Sequence, residues 1–221
     1  MRRITWLVIC LALLATGCAR HGKGPGIGVQ SQTAKNGFIV ILDPGHGGKA
    51  QGARCQIFNY QEKHMTLSTA FFLKKHLEEM GYTIVMTREK DHNLSLPARI
   101  KIAEKSKGHI FVSLHYNSSS NPKAQGIEVY YHDSKANAKR TASSKALATD
   151  VYNQVISNTK AASRGVRSGG FQVIAKTTMP AILVEGGFLT NHQERARLKD
   201  PQYLDNLALG IANGINRYFQ R

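Results

Sequence analysis

Three apolar runs in this 221-residue sequence each end in a side chain that can bind a metal ion or move a proton. Phe38-Ile39-Val40-Ile41-Leu42 leads into Asp43-Pro44-Gly45-His46-Gly47-Gly48. Phe111-Val112-Ser113-Leu114 leads into His115-Tyr116-Asn117, and Ala181-Ile182-Leu183-Val184 into Glu185-Gly186-Gly187. A second acid, Glu62, stands just ahead of the first amphipathic pattern, in a segment able to fold back over the same edge. Two imidazoles and one carboxylate suffice to hold a catalytic zinc ion with its fourth position left for water, and a further carboxylate can then serve as base. A lone histidine after a strand is an ordinary polar loop residue; the case rests on two of them with acids to match. The other histidines carry less: His64, His76 and His92 fall in helical or loop patterns, His132 and His192 follow structured runs, His109 opens a strand and His21 lies near the N-terminus.

The glycine loop has its own alternative, since Gly45-His46-Gly47-Gly48-Lys49-Ala50 matches a G-x-G-x-x-A dinucleotide fingerprint. No helical stripe opens behind it, because Gly52 to Gln56 have no 3.6-residue period. Nor does Lys49-Ala50 supply the Ser or Thr of a phosphate loop. Nucleotide binding is therefore set aside.

These residues need a scaffold. Phe38–Leu42, Thr83–Thr87, Ile110–Leu114, Ile127–Tyr131, Phe171–Ala175 and Ala181–Val184 are β-branched or aromatic and bounded by turn or charged residues, and they predict strands. Between them, Leu67, Ala70, Phe71, Leu77 and Met80 share a helical face that stops at Gly81, with the helix starting near Thr66. A short helix is expected over Ala98–Lys105, a second stripe runs through Leu147, Val151 and Val155, and a third through Leu204, Leu207, Ala208, Ile211, Ile215 and Phe219, opened by Asp200-Pro201. Wholly apolar strands alternating with helices predict an α/β fold with a largely parallel sheet covered on both faces, whose ligands gather at the strands' carboxyl ends.

Arg2 and Arg3 precede an apolar run from Ile4 to Ala15 that closes in Ala15-Thr16-Gly17-Cys18. The run is shorter than the roughly 20 residues of a spanning helix, and its order is that of a cleavable signal peptide over residues 1–17. The small residues before Cys18 resemble a lipoprotein processing site, so lipidation of Cys18 and membrane attachment are expected, although Ala15 stands where Leu is usual. Residues 18–36 then read as the lipidated Cys and a flexible tether, and 37–221 as the catalytic domain. Thirty Lys and Arg against 14 Asp and Glu give +16; loss of Arg2 and Arg3 leaves 28 against 14, a net of +14. An excess of this kind suits a partner rich in carboxylates or phosphates, and export argues against nucleic acid. Hydrophobic residues at 42% with 20% charged exclude a disordered or multi-span chain. After cleavage Cys55 is the one thiol besides Cys18, so no intrachain disulfide is expected, and Cys55 reads as a small half-buried apolar residue.

Taken in order, Asp43-Pro-Gly-His46-Gly-Gly48, Glu62, Thr87-Arg88, Arg99, Ser113-Leu-His115-Tyr-Asn117, Gly126-Ile-Glu-Val-Tyr130, Arg164-Gly-Val166 and Pro180-Ala-Ile-Leu-Val-Glu185-Gly-Gly-Phe188-Leu-Thr-Asn191 resemble the zinc-dependent N-acetylmuramoyl-L-alanine amidases of the amidase-3 type. The likeness runs from about Phe38 to the C-terminus. It implies an α/β sandwich around a largely parallel six-stranded sheet, zinc ligands at His46, Glu62 and His115, and Glu185 as catalytic acid/base. The implied reaction is hydrolysis of the amide between N-acetylmuramic acid and the L-alanine of the peptidoglycan stem, by a monomeric, exported, membrane-attached enzyme of the cell envelope. Arg88 and Arg99 read as structural, Asp43 as a group that orients His46, Asn117 as a substrate or loop contact, and Arg164 as a ligand for a stem carboxylate. Ala103-Glu104 departs from the family's usual Ala-Asn. The connection after Ile127–Tyr131 lacks the long insertion with a blocking helix found in activator-dependent relatives, so activity without an activator is expected. The rival readings are a peptidoglycan-binding lipoprotein without turnover and a zinc peptidase acting within the stem.

Overall fold

The computed structural model describes residues 37–55 and 60–221. The expectations placed on residues 1–36, Cys18 included, and on the Cys55 side chain lie outside what it describes. The elements in chain order are β1 (Ile39–Pro44), β2 (Arg54–Cys55), β3 (Tyr60–Gln61), α1 (Glu62–Glu79), β4 (Thr83–Met86), α2 (Leu96–Lys105), β5 (Ile110–Asn117), β6 (Ile127–Tyr131), α3 (Ala138–Thr159), β7 (Ser163–Ser168), α4 (Gln172–Lys176), β8 (Ala181–Phe188), α5 (His192–Leu198) and α6 (Pro201–Phe219). Six strands form one sheet in the order β4-β1-β5-β8-β6-β7, while β2 and β3 make a separate two-stranded ribbon. β4, β1, β5 and β8 run parallel to one another, β6 runs antiparallel to β8, and β7 is parallel to β6. The largely parallel α/β sheet expected from the sequence is the one observed.

Apolar residues on successive strand positions face opposite sides. Val40, Leu42, Ile110, Val112, Ile182 and Val184 enter the larger core, with α1, α3 and α6. Ile41, Phe111, Ala181 and Leu183 enter a smaller one with Val173 and Ile174 of α4 and Ala103 of α2. Each of the Val, Leu, Ile and Phe side chains among them contributes about 1.5–3 kcal/mol by leaving water. The broadest helix contact is α3 on α6, and glycine makes it possible: a Cβ on Gly214 would lie 2.3 Å from the Val151 Cα. Helix ends follow their sequence signals. Ser95, Asn137, Asn191 and Asp200 accept backbone N–H bonds as N-caps, and Tyr82 N donates to Leu77 O across Gly81, at φ 90°, to close α1.

Two elements differ from expectation. Phe171–Ala175 is not a strand: Phe171 caps α4, whose bonds from Ile174 N and Ala175 N both reach Phe171 O, at 3.1 and 2.9 Å. Arg140 of α3 donates to Ile174 O and Met179 O, fixing that turn. A five-residue apolar run has too little length to tell one turn of helix from a strand. The sixth strand of the sheet is instead Ser163–Ser168, an edge strand whose two arginines mask its β character. α1 also begins earlier than Thr66, at Glu62, because its first-turn inward residues Glu62, Lys63 and Thr66 are polar yet buried and break the apolar period.

Candidate metal and catalytic centre

β1, β5 and β8 end at one edge of the sheet, and the antiparallel β6 starts there, so Glu128 is opposite Glu185 in register. From β1 the chain turns at Gly45, where a Cβ would sit 2.3 Å from the His115 ring. His46 follows at φ +61°, a left-handed conformation costly for a residue with a side chain. The loop is held there from several directions. Gly47 and Ala50 exchange backbone bonds at 2.8 and 3.1 Å. Asp91 accepts from Gly48 N at 2.6 Å, and Lys63 Nζ donates to Gly48 O and to Asp91.

Two buried arginines complete the brace. Arg88 donates to Pro44 O, Gly45 O and Lys63 O at 2.9, 2.8 and 2.7 Å, joining the His46 loop to the first turn of α1. Burial and the nearby Arg99 charge lower its pKa to about 10, which leaves it charged at neutral pH. Arg99 donates to Pro44 O, His46 O and the Asp43 carboxylate. Both arginines are structural, as expected. Asp43 is not the orienting partner of His46: its oxygens accept from Thr87, Arg99 and Ser113, so it anchors the strand end instead.

Glu62 opens α1 pointing back over the edge. Its Oε2 lies 3.0 Å from His46 Nε2 and its Oε1 2.9 Å from His115 Nδ1, while the two rings stand 4.9 Å apart at 76°. Ala53 N and Tyr116 N donate to the same carboxylate, at 2.7 and 3.0 Å. Burial pushes its pKa up, but the hydrogen bonds and charges of His115 and His46 outweigh that and hold it at about 2. One ligand atom from each of the three residues lies within 4.8 Å of the others, and among the described residues no other such trio occurs. This donor set fits a metal ion: two imidazole nitrogens and an ionised carboxylate can meet one ion at about 2.0–2.2 Å from each. Glu62 is buried while the His46 and His115 side chains remain 28% and 20% exposed, so the grouping is open on the imidazole side.

Glu185 pairs with His115 in the β5/β8 register. It is 9% exposed, and its Oε2 is buried without a hydrogen-bond partner. Burial, then the charges of Glu62 and Glu128, hold its carboxyl well above the usual carboxylate range. All four residues singled out in the sequence thus stand at one edge. Asn117 serves the protein itself, donating to Glu128 and accepting from Ser118 N. The sequence reading assigned no role to Lys63, Asp91 or Glu128; the signal available for Glu128 was an acid inside the apolar strand Ile127–Tyr131.

A parallel α/β sheet that presents two imidazoles, a facing carboxylate and a second, protonatable carboxylate at its carboxyl edge defines an α/β enzyme domain with a candidate metal centre. The chain belongs to the Amidase_3 family of N-acetylmuramoyl-L-alanine amidases, matched over residues 40–217, and is an amide hydrolase of that class. It is 32% identical to the germination-specific N-acetylmuramoyl-L-alanine amidase of Bacillus subtilis (strain 168), over 83% of this chain and 81% of that one. It is also 32% identical to the protein YqiI of the same organism, over 99% and 100% of the two chains. Among solved structures, the catalytic domain of CwlV, an N-acetylmuramoyl-L-alanine amidase from Bacillus (Paenibacillus) polymyxa var. colistinus, superposes with a TM-score of 0.77 at 38% identity, covering 83% of this chain and 98% of that one.

Proposed function

We propose that this protein is an exported zinc amidase that cuts the amide between the lactyl group of N-acetylmuramic acid and the L-alanine of the peptidoglycan stem, with His46, Glu62 and His115 as ligands. The observation that carries this reading is the meeting of those three side chains beside Glu185, whose Oε2 is unpartnered. Bound there, a zinc ion would supply Lewis acidity, lowering the pKa of a water toward about 7 and polarising the scissile carbonyl. Glu185 accepts the proton of the attacking water and returns it to the departing alanine nitrogen. Burial and the charges of Glu62 and Glu128 raise its pKa, which makes its carboxylate a stronger base toward that water. His115 and His46 keep Glu62 ionised against its burial, the first turn of α1 aims it, and the arginine brace keeps His46 in its strained turn.

The connection from β6 to α3 spans only residues 132–137, which supports activity without an activator. Residues 1–17 are a signal peptide, Cys18 is lipidated, residues 18–36 tether the domain, and the mature protein is a membrane-attached monomer at the envelope. No helix among the described residues is long and apolar enough to cross a membrane. The test is digestion of intact sacculi by the purified mature protein, with metal content and product masses read together. The expected result is about one zinc per chain and stem peptides with a new L-alanine amino terminus, lost on chelation and regained with zinc. Cuts within the stem mark a peptidase, zinc without cleavage marks a binding protein, and cleavage only after a second protein is added removes the activator-independent reading.

A further inference from the structure

Beside Glu185, on the β6–β7 side, stands a charged group that the hydrolytic step leaves unused. Glu128, 2% exposed, accepts from Asn117 Nδ2 at 2.8 Å through Oε1, and its Oε2 lies 3.2 Å from the Nε atoms of both Arg164 and Arg167. One buried carboxylate therefore faces two guanidinium groups, and one positive charge is in excess.

The two arginines are not equivalent. Arg164 is the more engaged, its side chain 32% exposed: its guanidinium carbon lies 4.8 Å over the Phe188 ring, it donates to Gln125 O, and its own carbonyl accepts from Nε and Nη2 of Arg167. Arg167 has its side chain 50% in solvent. Its register partner Tyr130 meets Phe171 edge-on at 5.0 Å, and Phe171 is itself 39% exposed, so an aromatic wall lies next to the spare charge.

We propose that Arg167, held by Glu128 and the Arg164 carbonyl, binds a carboxylate of the peptide on the leaving side of the cut amide. The proposal rests on the amidase reading and deepens it. A planar guanidinium matches a carboxylate in a two-point hydrogen bond, which a surface lysine would not reproduce. The spacing suits the task. β7 is two strands away from β8, about 10 Å at roughly 4.8 Å per strand. An extended peptide advances about 3.3–3.6 Å per residue, so a carboxylate on the second or third residue beyond the cut reaches that distance. Without the excess charge an anionic substituent would instead meet Glu128 and Glu185, two acids in register. Arg164, which the sequence suggested for this role, is the support of the site.

The experiment compares kcat/KM for two soluble muramoyl-tripeptides that differ only in having free carboxylates or carboxamides on the second and third residues. Wild type should prefer the free acid by about tenfold, the worth of one charge-assisted hydrogen bond in a half-exposed setting. In Arg167→Gln the preference should collapse through KM, and Arg167→Lys should keep part of it; thermal melting checks the fold of both. Equal cleavage of the two compounds by wild type, or a ratio that Arg167→Gln leaves intact, overturns the proposal. Cleavage of neither compound removes the amidase reading itself, a result distinct from cleavage without discrimination. If Arg167→Gln does not fold, calorimetric titration of the free tripeptide acid into wild type and Arg167→Lys decides, with unchanged affinity counting against the assignment.

Discussion

The two flanks of the His46–Glu62–His115 grouping are built on opposite principles. On the β1 side, Asp43, Arg88 and Arg99 are each 3% exposed or less and spend their hydrogen bonds on other parts of the protein. On the β8 and β6 side, the Glu185 Oε2 has no partner and Arg167 reaches half into solvent. The first flank holds a strained turn in place. The second keeps polar capacity in reserve, which costs stability and makes sense only where another molecule supplies the missing partner.

The contrast breaks most visibly through Glu185→Gln. This change should lower kcat by roughly 10² to 10⁴ or more, the contribution of a positioned proton-transfer group. It should leave bound zinc and the melting temperature nearly unchanged, because the buried Glu185 Oε2 has no hydrogen-bond partner to lose. Metal analysis and calorimetry beside the kinetics check this. A variant that unfolds would mean that Glu185 is a structural group like Asp43.

On the opposite flank the same chemistry should act on folding. Arg99→Met strands the Asp43 carboxylate, 1% exposed and 2.8 Å from Nη1 in the wild type. Breaking a buried pair by removing one partner costs about 3–5 kcal/mol, so the urea midpoint should fall accordingly. Asp43→Asn should cost less, since the amide oxygen can still accept from Thr87, its NH2 can donate to the Ser113 hydroxyl, and Arg99 keeps the Pro44 and His46 carbonyls. Equal stability of Arg99→Met and wild type would dissolve the distinction between the flanks.

The same division decides what the sequence could reveal. Strands β1, β5 and β8, buried on both faces, are unbroken apolar runs ending in His, His and Glu, so the sheet and its edge were legible. The edge strand Ser163–Ser168 was not, because its arginines answer to Glu128, a partner set by tertiary register rather than by local pattern. Phe171–Ala175 misled in the opposite way: its turn is fixed from outside by Arg140, more than thirty positions earlier. The start of α1 was hidden because Glu62, Lys63 and Thr66 are buried for polar reasons. Asp43 looked like a partner for His46 by adjacency, yet the strand pairing of Asp43 with Ser113 turns it toward the sheet.

The smallest expected effect tests where the rigid flank ends. Asp91 bonds Gly48 N and Lys63 Nζ at 2.6 Å each, but its side chain is 37% exposed. The Lys63 hydrogen bond, aided by the Gly48 N–H and the charges of Lys63 and His64 against modest burial, lowers its pKa from 3.8 to about 2. A carboxyl with a depressed folded pKa stabilises fully above its unfolded value and loses that contribution as pH falls from about 4 toward 2. Solvent screening limits the amount, so Asp91→Asn should cost no more than about 1 kcal/mol at pH 6, less in high salt. The gap between variant and wild type should close near pH 2, as urea titrations at the two pH values would measure. A loss of several kcal/mol at pH 6 would mean that the glycine loop depends on Asp91 as the strand end depends on Asp43, extending the rigid flank out to the solvent-facing side of His46.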